Sequence, residues 1–152
     1  MKKLFLCYLF LLFACFTCEK SAEIVPKIIF IKGGSSFGMC IGHCITELEI
    51  SDQTAIMHRK AWRSKIADKT CQRAISSTEW QTLVSKVNFA KMKNLPEVIG
   101  CPDCADGGKE WIEIVYGEQV KRVTFEFGKE VPEIQDLINE VRKIREGMNN
   151  CE

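Results

Sequence analysis

Cys44-Ile45-Thr46-Glu47-Leu48-Glu49-Ile50-Ser51-Asp52-Gln53-Thr54 alternates apolar and polar side chains and then turns. In an extended chain successive residues point to opposite faces. Thr46, Leu48 and Ile50 therefore share one side, and Glu47 and Glu49 share the other. One dry face and one wet face mark a half-buried antiparallel strand. Asp52-Gln53 reads as the hairpin turn, and residues 54–62 as the returning strand. Working backward, Lys27-Ile28-Ile29-Phe30-Ile31-Lys32 is a short β-branched apolar run, so a strand. Gly33-Gly34-Ser35-Ser36-Phe37-Gly38 is expected to break it as a turn. Working forward, residues 69–75 make a weaker fourth strand.

The periodicity then changes. Ser76 and Glu79 have the spacing of a capping box, in which each side chain satisfies an orphan backbone N–H. Trp80, Leu83, Val84 and Val87 follow at helical spacing and form one apolar stripe. Phe89, Met92 and Leu95 continue the core contact through a looser turn that Pro96 ends. Residues 100–108 are loop by composition. Residues 110–116 and 119–127 form two strands around Gly117-Glu118, with Ile112 and Ile114 on one face of the first. Trp111 and Val115 fall on the opposite face, a possible binding surface if helices cover the Ile112 side. Pro132 opens a last helix, where its missing N–H costs nothing. Ile134, Leu137, Ile138, Val141 and Ile144 form its stripe, and Gly147 stops it. The order β-β-β-(β)-α-β-β-α has hairpin-length connections, which imply antiparallel pairing. The expected fold is α+β: an antiparallel sheet of five to six strands with two helices on one face.

The first eighteen residues are of a different kind. Lys2-Lys3 precede an almost purely apolar run at residues 4–13, too short to span a bilayer, which takes about 20 residues, but suited to a signal sequence. Leu12-Phe13-Ala14-Cys15 resembles a bacterial lipobox, which makes Cys15 the expected lipidation site and Cys18 the alternative. An acyl chain would then hold the protein at a membrane surface; plain secretion is the other outcome. The expected organisation is a leader at 1–18, a tether at 19–26 and one globular domain at 27–152. Export places the chain in the cell envelope or outside the cell.

Of 152 residues, 46% are hydrophobic and 27% charged, enough for a core. Formal net charge is +1 from 21 basic and 20 acidic residues, and losing Lys2 and Lys3 with the leader brings the remainder near neutrality. A nucleic-acid partner would call for a basic stripe. None is present, so no nucleic-acid partner is expected. Hydrolase, P-loop and dinucleotide signatures are absent, so an enzyme is not the favoured reading.

Of nine cysteines, six lie beyond the leader: Cys40, Cys44, Cys71, Cys101, Cys104 and Cys151. Cys40 and Cys44 are spaced C-x3-C, and Cys101 and Cys104 C-x2-C. In an exported protein disulfides are the default. Fifteen pairings are open to six cysteines. A bridge between the two loops would contribute roughly 3–5 kcal/mol on the chain-entropy model. The alternative is a zinc site of Cys40, Cys44, Cys101 and Cys104, whose spacing suits thiolate ligation. Under either reading the two cysteine pairs meet at one end of the sheet. A thiol-redox centre at Cys101-Pro102-Asp103-Cys104 is the third reading. It lacks the helix N-terminus that lowers a cysteine pKa in such centres. His43, Asp103 and Asp106 would stand at the loop tip. Asp103, Asp106 and Glu110 could bind calcium through oxygens, but turn chemistry accounts for them better.

Phe37-Gly38-x-Cys40, together with Leu95-Pro96-Glu97 and the run Cys101-Pro102-Asp103-Cys104-Ala105-Asp106-Gly107-Gly108, resembles a family of uncharacterised, mostly bacterial exported α+β domains. The resemblance covers most of residues 27–146. It implies this fold and export, and it carries no activity. Ser36 departs from it, since better-known relatives often have cysteine there, so their cysteine pairing does not transfer. The function expected from the sequence is a membrane-tethered or secreted binding domain. Its partner would be a protein or small ligand, held at the two cysteine loops without a cofactor.

Overall fold

The computed structural model describes residues 27–148. The expected leader and tether, with Cys15 and Cys18, and Cys151 near the other end lie outside the described residues. The strands are β1 (Ile28–Ser36), β2 (His43–Ile50), β3 (Thr54–Ala61), β4 (Lys69–Ala74), β5 (Val98–Ile99), β6 (Lys109–Tyr116) and β7 (Gln119–Glu126). The helices are α1 (Ser77–Ser85), α2 (Phe89–Asn94) and α3 (Gln135–Glu146). All seven strands form one sheet in the order β4-β3-β2-β1-β6-β7-β5. The pairing is antiparallel except at one edge, where β5 runs parallel to β7.

The α+β class and the antiparallel sheet are as expected; the element count is larger. The looser turn after α1 is a helix of its own, because the Asn88 side chain accepts from the Lys91 N–H and Met92 is buried. The two-residue strand β5 is too short to show alternation in the sequence. The larger departure is in β1. Gly33 to Ser36, expected as a turn, continue the central strand. Each of these glycines leaves room for a neighbour. A Cβ at Gly33 would lie 2.6 Å from Val141 Cγ1 of α3, and one at Gly34 would overlap the Trp111 indole. Two glycines in a strand normally weaken it; here they let a helix and a tryptophan approach the backbone from opposite faces.

The register then follows. Gly33 pairs with Leu48 and Ile112, and Lys32 with Glu49 and Glu113. One face carries Ile31, Leu48, Ile50, Ile112, Ile114, Val123 and Phe125. Leu83, Met92 and the α3 stripe close over it as a single core. All five stripe residues, Ile134 to Ile144, are buried. The opposite face carries no helix and is charged.

The capping box forms at α1: the Glu79 N–H donates to Ser76 Oγ, and the Ser76 N–H to Glu79 Oε2. The bond from the Ser76 backbone, aided by Arg73, holds the Glu79 carboxylate below its ordinary value. A depressed pKa in the folded state gives stability present above the ordinary glutamate value of about 4.3 and lost as pH falls through the lower folded value. Unfolding free energies of the native chain and Glu79→Gln, measured from neutral pH downward, should therefore converge in acid. A pH-independent gap between the two would contradict this.

Candidate functional site

Ser36 pairs with Lys109, so the β1–β2 loop and the loop before β6 leave the sheet side by side at one end. They touch there. The Gly38 N–H donates to Asp103 Oδ1 at 3.4 Å. The Phe37 ring lies against Gly108 and meets Phe127 edge-to-face at 4.7 Å. The β3–β4 loop joins from the other side, with the Trp62 N–H bonded to the Gly42 carbonyl and the His43 ring to the Ala67 carbonyl at 2.9 Å.

The two cysteine loops thus share one end of the sheet, but neither is bridged to the other. Cys40 pairs with Cys44 and Cys101 with Cys104, at Cα separations of 5.6 and 5.5 Å. Cys71 is disulfide-bonded as well. Of the pairings the sequence left open, the structure has these two local bridges and not one between the loops. Each loop folds tightly enough to close on itself within four residues. It also bears on the zinc reading, because thiolates are the ligands of such a site and these four sulfurs are in disulfides. Among the described residues no three His, Cys, Asp or Glu side chains gather as metal ligands. Glu110 leaves the calcium cluster entirely: its carboxylate turns to the helix face and binds Arg142 and Arg145.

The predicted tip residues separate. Asp103 sits between the loops. His43 is tied to the β3–β4 loop. Asp106 is exposed at the end of a short 3-10 turn, Cys104–Asp106. Asp103, Ala105 and Asp106 have φ of 65°, 51° and 59°. The left-handed region costs alanine roughly 1–2 kcal/mol, whereas aspartate visits it more readily, so the strain in this loop falls mainly on Ala105.

Beside the loops, the helix-free face forms two cavities of about 410 and 280 Å³ that share Glu47, Trp111 and Arg122. The second reaches Phe37, Trp62 and Asp103 at the loops. Trp111 lies on this face, as alternation predicts, yet is only 6% exposed. It rests over Gly34, and the Arg122 guanidinium covers its ring at 4.6 Å. Charges across the face are paired: Lys32–Glu49 at 2.7 Å, Lys60–Glu47 at 2.5 Å and Arg122–Glu113 at 3.7 Å. The bond to Glu49 raises the Lys32 pKa above its ordinary value. Such a floor presents paired, hydrogen-bonding groups, with the Trp111 ring covered beneath them.

The residues that sequence reasoning passed over are apolar. Ile41, between Cys40 and Cys44, is 97% exposed and Met39, just before Cys40, 68%, with Trp62 at 43% beside them. Arg63 Nη1 reaches Met39 Sδ at 3.8 Å. The signal was available, since large apolar side chains among glycines and cysteines have no strand or helix to bury them.

No protein-family model matches the chain, and no curated protein matches it either.

Proposed function

We propose that the chain is an exported, membrane-tethered binding domain whose two stapled loops form the recognition tip. The observation that carries this is the exposure of Ile41 inside a loop closed by its own disulfide, and of Met39 next to that loop. Large apolar groups held in water on a rigid loop are the usual anchors of an interface, because burying them on a partner releases the water around them. The groove behind the loops supplies the polar contacts. The direction of β1 agrees with a tether. Its first residue, Ile28, lies at the sheet end away from the loops, eight steps of about 3.3 Å along the strand. A lipid anchor ahead of Ile28 would leave the tip facing outward.

The test is retention of the purified protein on lipid, glycan and protein fractions of its own cells' envelope. One fraction should retain it. Met39→Asp with Ile41→Asp should lower that retention about tenfold or more, equivalent to about 1.4 kcal/mol. Val98→Asp, at an exposed apolar position on β5, should not. Equal retention of both variants, or none by any fraction, rejects the binding tip. In cells, Cys15→Ala should release the protein from membranes; release by neither Cys15→Ala nor Cys18→Ala rejects the tether.

A further inference from the structure

The two loop disulfides differ in surroundings. Cys44 is 2% exposed, and its sulfur also faces the Gly42 carbonyl. Cys101 and Cys104 are both exposed. A thiol can reach the second bridge without unfolding anything, whereas the first is shielded on one side. The chain around Cys101–Cys104 is also the part of the molecule held in the left-handed region at Asp103, Ala105 and Asp106. Of these, only Asp103 lies between the two cysteines, so opening the bridge removes one covalent restraint on its turn. Exposed or strained disulfides are the labile ones.

Asp103 lies inside the ring that this disulfide closes. Its N–H is bound to the Gly108 carbonyl and its carboxylate to the Gly38 N–H of the other loop. It lines the cavity that also holds Trp62 and Trp111. The redox state of Cys101–Cys104 is therefore connected through one residue to both loops and to the groove.

We infer that Cys101–Cys104 is a redox-modification site, reduced by a dithiol, that sets the shape of the groove mouth. The thiolate of the dithiol attacks one of the two sulfurs. The S–S bond breaks, a mixed disulfide forms, and the displaced cysteine leaves as a thiolate that takes a proton. The second thiol of the partner then loses its proton and attacks the mixed disulfide. The partner departs as a disulfide, oxidised by two electrons, and Cys101 and Cys104 are left as two thiols. Reduction frees Asp103 from its left-handed turn, loosens the bond to Gly38 and widens the space between the loops.

The effect on ligand rests on the binding reading above; the redox chemistry does not. The experiment treats the folded, oxidised protein with dithiothreitol and, in parallel, with a reduced dithiol protein of the thioredoxin type. Alkylation and mass spectrometry follow each cysteine, tryptophan emission reports on the groove, and circular dichroism on the fold. Cys101 and Cys104 should become alkylated at least about tenfold faster than Cys40 and Cys44, with circular dichroism unchanged. Emission should shift in step, and Cys101→Ser with Cys104→Ser should show the reduced emission throughout. Reduction by both reagents makes a protein dithiol the partner, and reduction by dithiothreitol alone a small one. Equal rates for both loop bridges, or reduction only as the fold is lost, overturns the proposal. Selective reduction without an emission change overturns its control of the groove. Selective reduction alongside unaltered retention of the Met39 and Ile41 variant would sink the binding reading and leave the redox site standing.

Discussion

Glu110→Ala should destabilise the protein by about 3–5 kcal/mol, the usual cost of removing one partner from a buried charge cluster. Glu110 is 3% exposed on the helix face of β6. Its carboxylate accepts from Arg142 Nε and Nη2 at 3.0 and 2.6 Å, from Arg145 Nη1 at 3.5 Å and from the Gly128 N–H at 3.4 Å. The bond to Glu110 raises the Arg142 pKa, and a guanidinium is charged in any case. Alanine would leave two covered cations facing each other and an unpaired N–H at the turn after β7. Both guanidinium side chains are only about a fifth exposed, 22% and 21%, so water cannot fully replace the carboxylate. Glu110→Gln keeps the shape and some of the bonds, and should fall between. Urea unfolding measures both. A cost for Glu110→Ala below about 1 kcal/mol, the range of surface pairs, would mean that the cluster is solvated.

Leu137→Ala should cost about 2–5 kcal/mol, the range for a fully buried leucine. Leu137 has no exposed surface and lies in the stripe that packs α3 on the sheet. The cavity it leaves cannot close easily, because α3 is already seated on the backbone at Gly33 through Val141. Lys143→Ala, on the exposed side of the same helix, should change stability by no more than about 0.5 kcal/mol. A loss that small at Leu137 as well, by the same urea measurement, would make α3 peripheral to the core.

Much of this architecture is local and could be read from the chain. The alternation of Thr46, Leu48 and Ile50 against Glu47 and Glu49 matches their faces in the sheet, since a strand's period of two is written in consecutive residues. The capping box at Ser76 and Glu79 and the stripe from Ile134 to Ile144 are visible for the same reason at the helical period. That the two cysteine loops gather at one end of the sheet was an expectation the sequence could not force, because it rests on β1 pairing with β6, more than seventy residues away. Everything that depends on a neighbour distant in sequence was decided by tertiary structure. Gly33 and Gly34 have the local signature of a turn, and only Val141 and Trp111, about 110 and 80 residues on, make them strand. Glu110 sits among acidic loop residues in the sequence, yet alternation along β6 turns it inward to Arg142 and Arg145. Composition could not choose a cysteine's partner, because every pairing has the same composition; loop closure over three or four residues chose it here. The exposure of Ile41 and Met39 is likewise a property of what fails to cover them, and that is settled only when the sheet and helices have taken their places.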